Sequence, residues 1–394
     1  MTDTFDRNAR PASTLPHFVS QEPFNPYEAE ALTPEQERIY LASGWKMMWW
    51  KLKRHKVAVA SGIFLLLMYL SILFTEILAP YNSTTRHADY LYAPPQGIHL
   101  FHDGKFIGPF VYGYDSEANL KTFRWDYRVN RDKVYPLRFF CQGDPYDLYG
   151  LIPMRFHLVC PAKDGVFFPL GTDRLGRDML SRIIYGTRIS LTVGLIGITI
   201  SFILGITLGG IAGYFGGWID SAIQRVIEVL RSLPELPLWL ALSAALPVNW
   251  SPIVIYFGIT IILGLLDWPG LARSVRSKFM ALREEDFTTA AVLMGAKPSR
   301  VIGRHLVPNF MSHLIASATL SVPAMILGET ALSFLGLGLR PPITSWGVLL
   351  NEAQNLAAIE FHPWIITPMI PVILVILAFN FLGDGLRDAA DPYH

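Results

Sequence analysis

The sequence predicts an all-α membrane protein that crosses the bilayer several times. Of its 394 residues, 51% are hydrophobic and only 16% are charged, whereas about a quarter of the residues in a typical soluble protein are charged. Apolar runs long enough to cross ~30 Å of hydrocarbon recur along the chain. The formal net charge is +1 and the aromatic–basic pattern of RNA-binding proteins is absent, so we expect no nucleic-acid partner.

Residues 1–56 are predicted to form a cytoplasmic tail and an interfacial helix. The first 30 residues are polar and lack the apolar core of a cleavable signal peptide. Thr33, Pro34 and Gln36 form an N-cap pattern that predicts a helix over about 34–55, with a frayed juxtamembrane linker as the alternative. The cluster KMMWWKLKRHK then places basic and tryptophan side chains at the inner boundary of the first predicted span, 57–79.

An insert, residues 80–187, separates the first span from the rest of the chain. It is rich in Tyr, Phe, Pro and charged residues, and it contains both cysteines, Cys141 and Cys160. Since the first span is expected to run from inside to outside, the insert lies on the oxidising face, where a Cys141–Cys160 disulfide is expected to stabilise it by roughly 3 kcal/mol. Two free buried thiols are the alternative.

The remaining residues, 188–394, are predicted to contain five more spans, which makes six in total. Six spans place both termini in the cytoplasm and the basic segment 270–308 on the inner side, in agreement with the positive-inside rule. The five predicted spans are 189–214, 221–246, 251–269, 309–337 and 363–383.

The third predicted span differs from the others because its first half is charged. Arg225, Glu228, Arg231 and Glu235 recur at spacings of three and four, so they share one helix face, which either protrudes into the cytoplasm or lines a watery cavity. The prolines in the sequence SLPELP are expected to kink the helix where its apolar half begins.

The segment 286–309, DFTTAAVLMGAKPSRVIGRHLVPN, predicts a short helix with small side chains on the inner side of the membrane. Asp286 is a candidate N-cap, Gly295 a candidate terminator, and Pro298 a candidate start for the next helix. Ala290, Ala291 and Gly295 would allow another protein surface to approach the helix backbone closely. An ordinary cytoplasmic loop is the alternative.

This segment resembles the EAA loop of bacterial ABC-importer permeases, in which EAA is followed by Gly and then by a Leu-Pro step. The matching residues here are Thr289-Ala290-Ala291, Gly295 and Leu306-Val307-Pro308. Thr289 stands where the family usually has Glu, and Val307 interrupts the Leu-Pro step. Segments 169–194, 213–220, 328–350 and 380–392 resemble the dipeptide, oligopeptide and nickel permeases of the OppC/DppC type, and the long insert resembles that of YejE-like members.

The resemblance implies a type I importer fold with six transmembrane helices in the bacterial inner membrane. It also implies a homologous second permease subunit, two ATPase subunits or domains that bind ATP and magnesium, and a periplasmic solute-binding protein. The loop at about 280–308 would rest on an ATPase, and the expected coupling residues are Asp286, Thr289, Ala290, Ala291, Gly295, Ala296, Arg300 and Pro308. The insert is interpreted as an outer platform that contacts the binding protein or covers the pore.

We expect no enzymatic site in this chain, because it has no G-x-x-x-x-G-K-[ST] motif and no cluster with metal-ligand spacing. Cofactors are therefore expected only in the partner ATPases, and lipid is the remaining partner. Glu329 and Ser333, within the fifth predicted span, are candidates for the translocation path, because an intramembrane acid is costly; a hydrogen-bonded structural Glu is the alternative. The segment GTDRLGRD is expected to be a turn that caps the second span.

The expected cargo is di- or oligopeptides, with oligosaccharides or opines as the second choice. Two other classes remain open from the residues alone. A secondary transporter would show internal repeats and midplane charges, and a membrane-anchored receptor would use the insert for binding. Co-purification of an ATPase distinguishes the first of these from an importer, and ATP-dependent uptake excludes the second.

Overall fold

The computed structural model describes residues 41–42, 44–119, 124–163, 165–247 and 249–390. The chain divides into two compact units, residues 1–47 and residues 48–394. Of the predicted interfacial helix, residues 34–40 lie outside the described residues, and Gly44–Arg54 forms α1. All other elements belong to the second unit.

The long helices are α2 (Lys56–Leu73), α4 (Met179–Phe215), α7 (Pro252–Arg283), α9 (Pro298–Phe334) and α12 (Met369–Ala390). Shorter helices are α3 (Thr75–Leu78), α5 (Gly217–Ser232), α6 (Glu235–Ala244), α8 (Asp286–Leu293), α10 (Trp346–Glu352) and α11 (Leu356–Phe361). A 3-10 turn, Pro363–Ile366, precedes α12.

Five helical segments of the described chain are long and apolar enough to cross a membrane, so the prediction of six spanning helices is not confirmed. They correspond to α2, α4, α7, α9 and the segment Pro363–Ala390. The predicted span 221–246 is instead split into α5 and α6. Leu233 and Pro234 between them have extended backbones (ψ 140° and 132°), because a proline disfavours helical backbone in the preceding residue and donates no N–H to the helix.

The helices α4 and α7 pack closely and run in the same direction. Gly264 lies against the Gly197 backbone and Gly213 lies against Arg276, so residues later in α4 meet residues later in α7. A Cβ atom at Gly264 would be 2.8 Å from the Gly197 carbonyl oxygen, and one at Gly213 would be 2.6 Å from that of Arg276. Glycine is therefore required at these crossings, as is common where membrane helices touch.

The second spanning helix begins earlier than the sequence predicts. The Asp178 side chain accepts a hydrogen bond from the Ser181 N–H at 2.7 Å and so caps α4. Asp178 lies at the end of the GTDRLGRD turn, which caps the helix as expected. The predicted insert, residues 80–187, therefore includes about the first two and a half turns of this helix.

The insert contains the five strands of the described part of the chain, and the all-α prediction is wrong there. Strands β1 (His99–His102), β2 (Lys105–Asn119) and β3 (Arg124–Pro136) form an antiparallel sheet in that order. Strands β4 (Arg138–Leu148) and β5 (Ile152–Cys160) form a separate antiparallel hairpin. Their Tyr, Phe and Val content favours strands. The sequence analysis noted the aromatic composition of the insert but did not predict strands from it.

The predicted disulfide is present. Cys141 of β4 and Cys160 of β5 are bonded across a sequence separation of 19 residues. The bond closes the open end of the hairpin, near the point where the chain returns towards α4.

The main hydrophobic core lies between α2, α4, α9 and α12. These helices contribute side chains that are at most 6% exposed, among them Leu65, Leu191, Ile198, Val322, Ile326, Val375 and Phe379. Trp346 of α10 is fully buried in the same cluster, so the segment between α9 and α12 is part of the core.

Candidate functional site

The candidate coupling element is α8, which joins the ends of α7 and α9. Glu285, with an extended backbone (ψ 148°), precedes it as the N-cap residue, and its carbonyl oxygen accepts hydrogen bonds from the N–H groups of Thr288 and Thr289 at 3.0 and 3.1 Å. The prediction that Asp286 is the cap is therefore wrong by one residue. Asp286 lies instead in the first turn, where a carboxylate interacts favourably with the helix N-terminus.

Gly295 terminates α8 as predicted. Its φ of +81° is in the left-handed region, where a residue with a Cβ atom is strained. The Ala296 N–H donates to the Ala291 carbonyl at 3.1 Å, and the Gly295 N–H donates to that of Val292 at 2.9 Å. This pair of bonds is a Schellman motif. Space around the glycine is open, so it is the backbone conformation that requires glycine here.

The small residues of α8 face in different directions. Ala291 and Thr288 are only 3% and 1% exposed, and the Thr288 hydroxyl donates to the Leu282 carbonyl at 2.8 Å. Thr289 and Ala290 are exposed. The sequence predicted that Ala290 and Ala291 would both admit another protein surface, but Ala291 packs against the chain itself and only Ala290 is available.

The exposed end of α8 carries an apolar tip that the sequence analysis missed. Leu293 and Met294 are each 82% exposed, and Val292 and Phe287 are 47% and 38% exposed. We call Leu293 and Met294 the α8 tip. The available signal was two large apolar side chains immediately before a predicted terminating glycine, on a helix too short to bury them.

A π-helical turn, Val301–Leu306, connects α8 to the spanning part of α9. The Val307 N–H donates to the Ile302 carbonyl, five residues earlier. Pro308 follows directly; because it has no N–H and its ring crowds the preceding turn, it favours a wider turn at this point. Of the remaining predicted coupling residues, Ala296 is half-buried, and Arg300 and Pro308 are exposed.

The coupling element is attached to the helical body by a separate apolar cluster. It consists of Val275, Phe279, Val301, Leu306, Phe310 and Leu314, with Ala296 packed against it. Both ends of the cluster, α7 and α9, are spanning helices. The segment that follows α8 is therefore packed against both α7 and α9.

Glu329, predicted for the translocation path, is fully buried within the chain. Its carboxylate accepts hydrogen bonds from the hydroxyls of Ser190 (3.1 Å), Ser333 (2.8 Å) and Ser345 (2.7 Å). Ser333, the other predicted path residue, is 1% exposed. The structure therefore brings the two predicted residues together, in a polar cluster inside the subunit.

The three serines also accept hydrogen bonds from backbone N–H groups. Ser190 accepts from Trp346 at 3.1 Å, Ser333 from Leu339 at 3.0 Å, and Ser345 from Val348 at 3.2 Å. Residues 335–348 have few helical bonds of their own, so these contacts supply partners for buried backbone groups. The Glu329 cluster thus fixes the segment between α9 and α10 onto α4.

A second buried polar cluster lies beside the α4 N-terminus. The Asp173 carboxylate contacts Arg177 and Arg182, and both guanidinium groups also bond Glu352 of α10, at 3.1 and 2.8 Å. Burial raises the pKa of the neighbouring Asp178 to about 7, opposed by its hydrogen bonds from Ser181. These links join the GTDRLGRD turn to α10.

Within the described part of the chain, His, Cys, Asp and Glu side chains form no group that could hold a metal ion. The charged clusters described above pair acids with arginines, or an acid with serine hydroxyls, and leave no open carboxylate set. The feature that is left as a candidate binding surface is the exposed apolar α8 tip, on the segment that joins α7 to α9.

Two family models match the chain. Residues 205–393 match the family described as "Binding-protein-dependent transport system inner membrane component". Residues 43–95 match the "N-terminal TM domain of oligopeptide transport permease C". The first region includes α8, Glu329, Ser333 and Ser345, and the second includes α2.

Known proteins with similar sequences carry transport names. The chain is 42% identical over 223 residues to the dipeptide transport system permease protein DppC of Alkalihalophilus pseudofirmus, covering 56% of this chain and 71% of that protein. It is 41% identical over 233 residues to the oligopeptide transport system permease protein OppC of Haemophilus influenzae, covering 59% and 72%. It is 38% identical over 223 residues to the glutathione transport system permease protein GsiD of Pectobacterium atrosepticum, covering 57% and 72%.

Among solved structures, inward-facing MetNI methionine ABC transporter aligns with a TM-score of 0.42 and 17% identity, over 54% of this chain and 97% of the other.

Proposed function

The chain belongs to the family of dipeptide and oligopeptide permease proteins of binding-protein-dependent transport systems, and on this premise we propose that it forms one half of an ATP-driven path for short peptides across the bacterial inner membrane. The observation that carries the proposal is the α8 tip, whose two large apolar side chains are 82% exposed on a helix fixed to two spans. An exposed apolar patch of this kind is typical of a protein-interaction site.

In this proposal α8 rests in a groove of an ATPase subunit on the cytoplasmic side. Leu293 and Met294 fill the groove, Ala290 allows close approach, and Arg300 lies beside the contact. Ala291 and Ala296 act from within, by holding α8 on the body of the permease. Thr289, which replaces the usual Glu, offers a hydroxyl in place of a charged contact.

ATP-driven closure of the ATPases would displace α8, and the apolar cluster beneath it would carry that displacement to α7 and α9. The π-helical turn before Pro308 joins α8 to the spanning part of α9, and π turns often occur at functional positions. ATP and magnesium bind to the ATPase subunits, and no hydrolytic site is assigned to this chain.

We further propose that α5 and α6 together make a sixth crossing. Because α4 and α7 are parallel, the chain after Phe215 must return to the opposite end of α4 before α7 begins. The Arg283 guanidinium donates to the Tyr214 carbonyl at one end, and the Tyr256 hydroxyl donates to Thr192 at the other. The 22 residues between Thr192 and Tyr214 correspond to about 33 Å of helix, which is about the thickness of the hydrocarbon core.

The packing of α5 and α6 supports this crossing. Ile227 of α5 packs with Trp268 and Ala272 in the middle of α7, and Trp239 of α6 packs against the cluster that contains Tyr256 and Ile259, near the start of α7. A sixth crossing places both termini in the cytoplasm, which agrees with the basic cluster before α2 and with the cytoplasmic position proposed for α8.

For Glu329 and Ser333 we propose a supporting part in the path. The Glu329 carboxylate and the Ser333 hydroxyl already make hydrogen bonds within the subunit. They therefore fix the outer segment 335–348 and do not touch the peptide in this conformation. The residues that touch the peptide belong to other surfaces, shared with the second permease subunit.

Peptide cargo is proposed from the names of the relatives, which include dipeptide, oligopeptide and glutathione permeases. The remaining partners follow from the family: a homologous permease subunit, two ATPase subunits and a periplasmic solute-binding protein. The aromatic insert lies on the outer side, where such a binding protein would dock.

The test uses the complete complex reconstituted in proteoliposomes with its solute-binding protein. Uptake of labelled di-, tri- and oligopeptides is expected to require ATP, and a double L293S/M294S variant is expected to lose ATPase association and uptake while still inserting in the membrane. The matched control is Leu356→Ser, since Leu356 is 80% exposed on the outer side; it should retain ATPase association. ATP-independent uptake, or normal ATPase association in the double variant, would refute the proposal.

A further inference from the structure

The turn between β4 and β5 is an apolar tip. Residues 148–154, which we call the hairpin tip, read LYGLIPM and carry no charge, and they are flanked by Asp147 and Arg155. Leu151 is 82% exposed, Ile152 56% and Tyr149 53%. Such side chains on a short hairpin imply a surface that is covered in the cell.

Two hydrogen bonds fix the direction in which the hairpin points. The His157 ring Nδ1 pairs with the Ala79 carbonyl at 2.7 Å, and the Tyr149 hydroxyl donates to the Leu73 carbonyl at 2.6 Å. The base of the hairpin, at His157, is therefore next to Ala79, and its tip, at Tyr149, is next to Leu73. Leu73 is the last residue of α2, a candidate membrane span, so the hairpin tip points towards the bilayer.

Arg188 of α4 holds the tip in this position. Its guanidinium lies 5.4 Å from the centre of the Tyr149 ring, a cation–π distance. The same guanidinium bonds the Glu76 carboxylate at 2.7 Å and the Ile72 carbonyl at 2.9 Å. The hairpin tip is thus anchored to the outer ends of two membrane helices.

The surface next to the tip is also apolar. Leu70, Leu73 and Phe74 at the outer end of α2 are 43%, 50% and 51% exposed. The exposed side chains of the tip, residues 148–154, add a second uncharged surface that is tied to this end of α2 by the Tyr149–Leu73 hydrogen bond.

We propose that the hairpin tip is inserted in the outer leaflet of the membrane, with Leu151 and Ile152 among lipid acyl chains and Tyr149 at the headgroup boundary. Aromatic residues with a polar end favour that boundary. The tip enters only to a shallow depth, because strand edges with free backbone groups do not enter hydrocarbon. In the turn itself two N–H groups are already bonded: that of Gly150 donates to the Asp147 carbonyl and that of Leu151 to the Leu148 carbonyl, at 3.1 and 3.0 Å.

This role of the hairpin tip is independent of the transported substrate. The insert then has two parts: the β4–β5 hairpin attaches to lipid, and the sheet β1–β2–β3 faces the periplasm. Insertion of the tip would keep the insert at a fixed height above the outer end of α4.

The experiment places a genetically encoded nitroxide side chain at position 151 of the full chain, in the assembled complex in nanodiscs of phosphatidylethanolamine and phosphatidylglycerol. Genetic encoding leaves the Cys141–Cys160 disulfide intact. Collision rates are measured with oxygen, which dissolves in lipid, and with a water-soluble nickel chelate. Phe140, 71% exposed on the same hairpin and distant from the tip, is the matched control position, and Ile152 is a second test position.

We expect the ratio of oxygen to chelate collisions at positions 151 and 152 to exceed that at 140 on the order of tenfold, because the chelate does not enter hydrocarbon. Equal ratios at 151 and 140 would overturn the proposal by showing that the tip lies in water. Exclusion of both reagents, or protection that appears only when the solute-binding protein is added, would overturn it in favour of a protein partner.

Discussion

At the scale of single residues, Gly295 illustrates how a backbone requirement supports a function. Its φ of +81° directs the chain from α8 into the Schellman motif and thence to α9. The sequence predicted Gly295 both as the helix terminator and as a small residue that allows close docking, and no atom of the chain lies within 4 Å of a Cβ placed there. The conformation of the turn is what excludes other residues.

We expect Gly295→Val to reduce peptide transport per ATP hydrolysed and Gly295→Asn to retain most of it. Asn adopts left-handed backbone far more readily than a β-branched residue, so the pair separates strain from bulk. Coupling is measured as uptake divided by ATP consumed in proteoliposomes. Equal coupling in the Val variant and the unaltered complex would contradict the importance of this turn.

Asp178 gives a pH dependence whose sign follows from its burial. Burial raises the pKa of its carboxyl to about 7 from an ordinary value of 3.8, so the folded protein holds a proton that the unfolded chain releases. The stability contributed by this proton is fully present below pH 3.8 and is lost as the pH rises to about 7.

We therefore expect the thermal stability of the detergent-solubilised protein to decline between pH 5 and pH 7, and we expect Asp178→Asn to remove this decline. Asn keeps an oxygen that can accept the Ser181 N–H bond and does not ionise. Thermal unfolding at several pH values measures the effect. An Asn variant with the same slope as the unaltered protein would show that another group is responsible.

At the scale of elements, the Glu329 cluster explains how the irregular segment between α9 and α10 is held. Three serine hydroxyls connect one carboxylate to the backbone N–H groups of Trp346, Leu339 and Val348. The sequence identified Glu329 because an acid within a span is costly. It also named Ser333, which is four residues away, but it could not identify Ser190, which is 139 residues away.

We expect Glu329→Ala to destabilise the protein by several kcal/mol, because it leaves three buried hydroxyls without an acceptor, each at about 1–3 kcal/mol. Glu329→Gln keeps one acceptor oxygen and should cost less. Thermal unfolding of both variants in detergent gives the comparison. If the Ala variant unfolded at the temperature of the unaltered protein, the cluster would not be structural, and a role in the path would gain support.

At the scale of the whole molecule, five of the predicted spans and the short helix α8 were predictable, because their signals are local. Hydropathy located α2, α4, α7, α9 and α12, and the step from Ala290 to Gly295 located α8. The disulfide was also predictable, since two cysteines in one outer segment have few alternatives. These features depend on residues close together in the sequence or on composition.

The features that failed depend on long-range pairing. The strands of the insert require knowing which segments lie side by side, and aromatic content did not reveal that. The parallel packing of α4 and α7 concerns contacts between residues far apart in sequence, such as Gly213 and Arg276. The break at Pro234 is local, and the sequence predicted a kink there where the structure has two separate helices. The α8 tip was missed because a Leu-Met pair in a helix is usually buried, and its exposure is visible only in the structure.

The central claim is that the α8 tip contacts an ATPase subunit and that the contact changes with the nucleotide state. Both cysteines of the chain are joined to each other, so Leu293→Cys introduces a single free thiol. A heterobifunctional reagent on that thiol, applied to the assembled complex, measures the contact directly. The account predicts cross-linking to the ATPase that differs in yield between nucleotide-free and ATP-bound complex, and little cross-linking from Leu356→Cys on the outer side. Cross-linking from position 293 to a periplasmic protein, or none to the ATPase in either state, would contradict it.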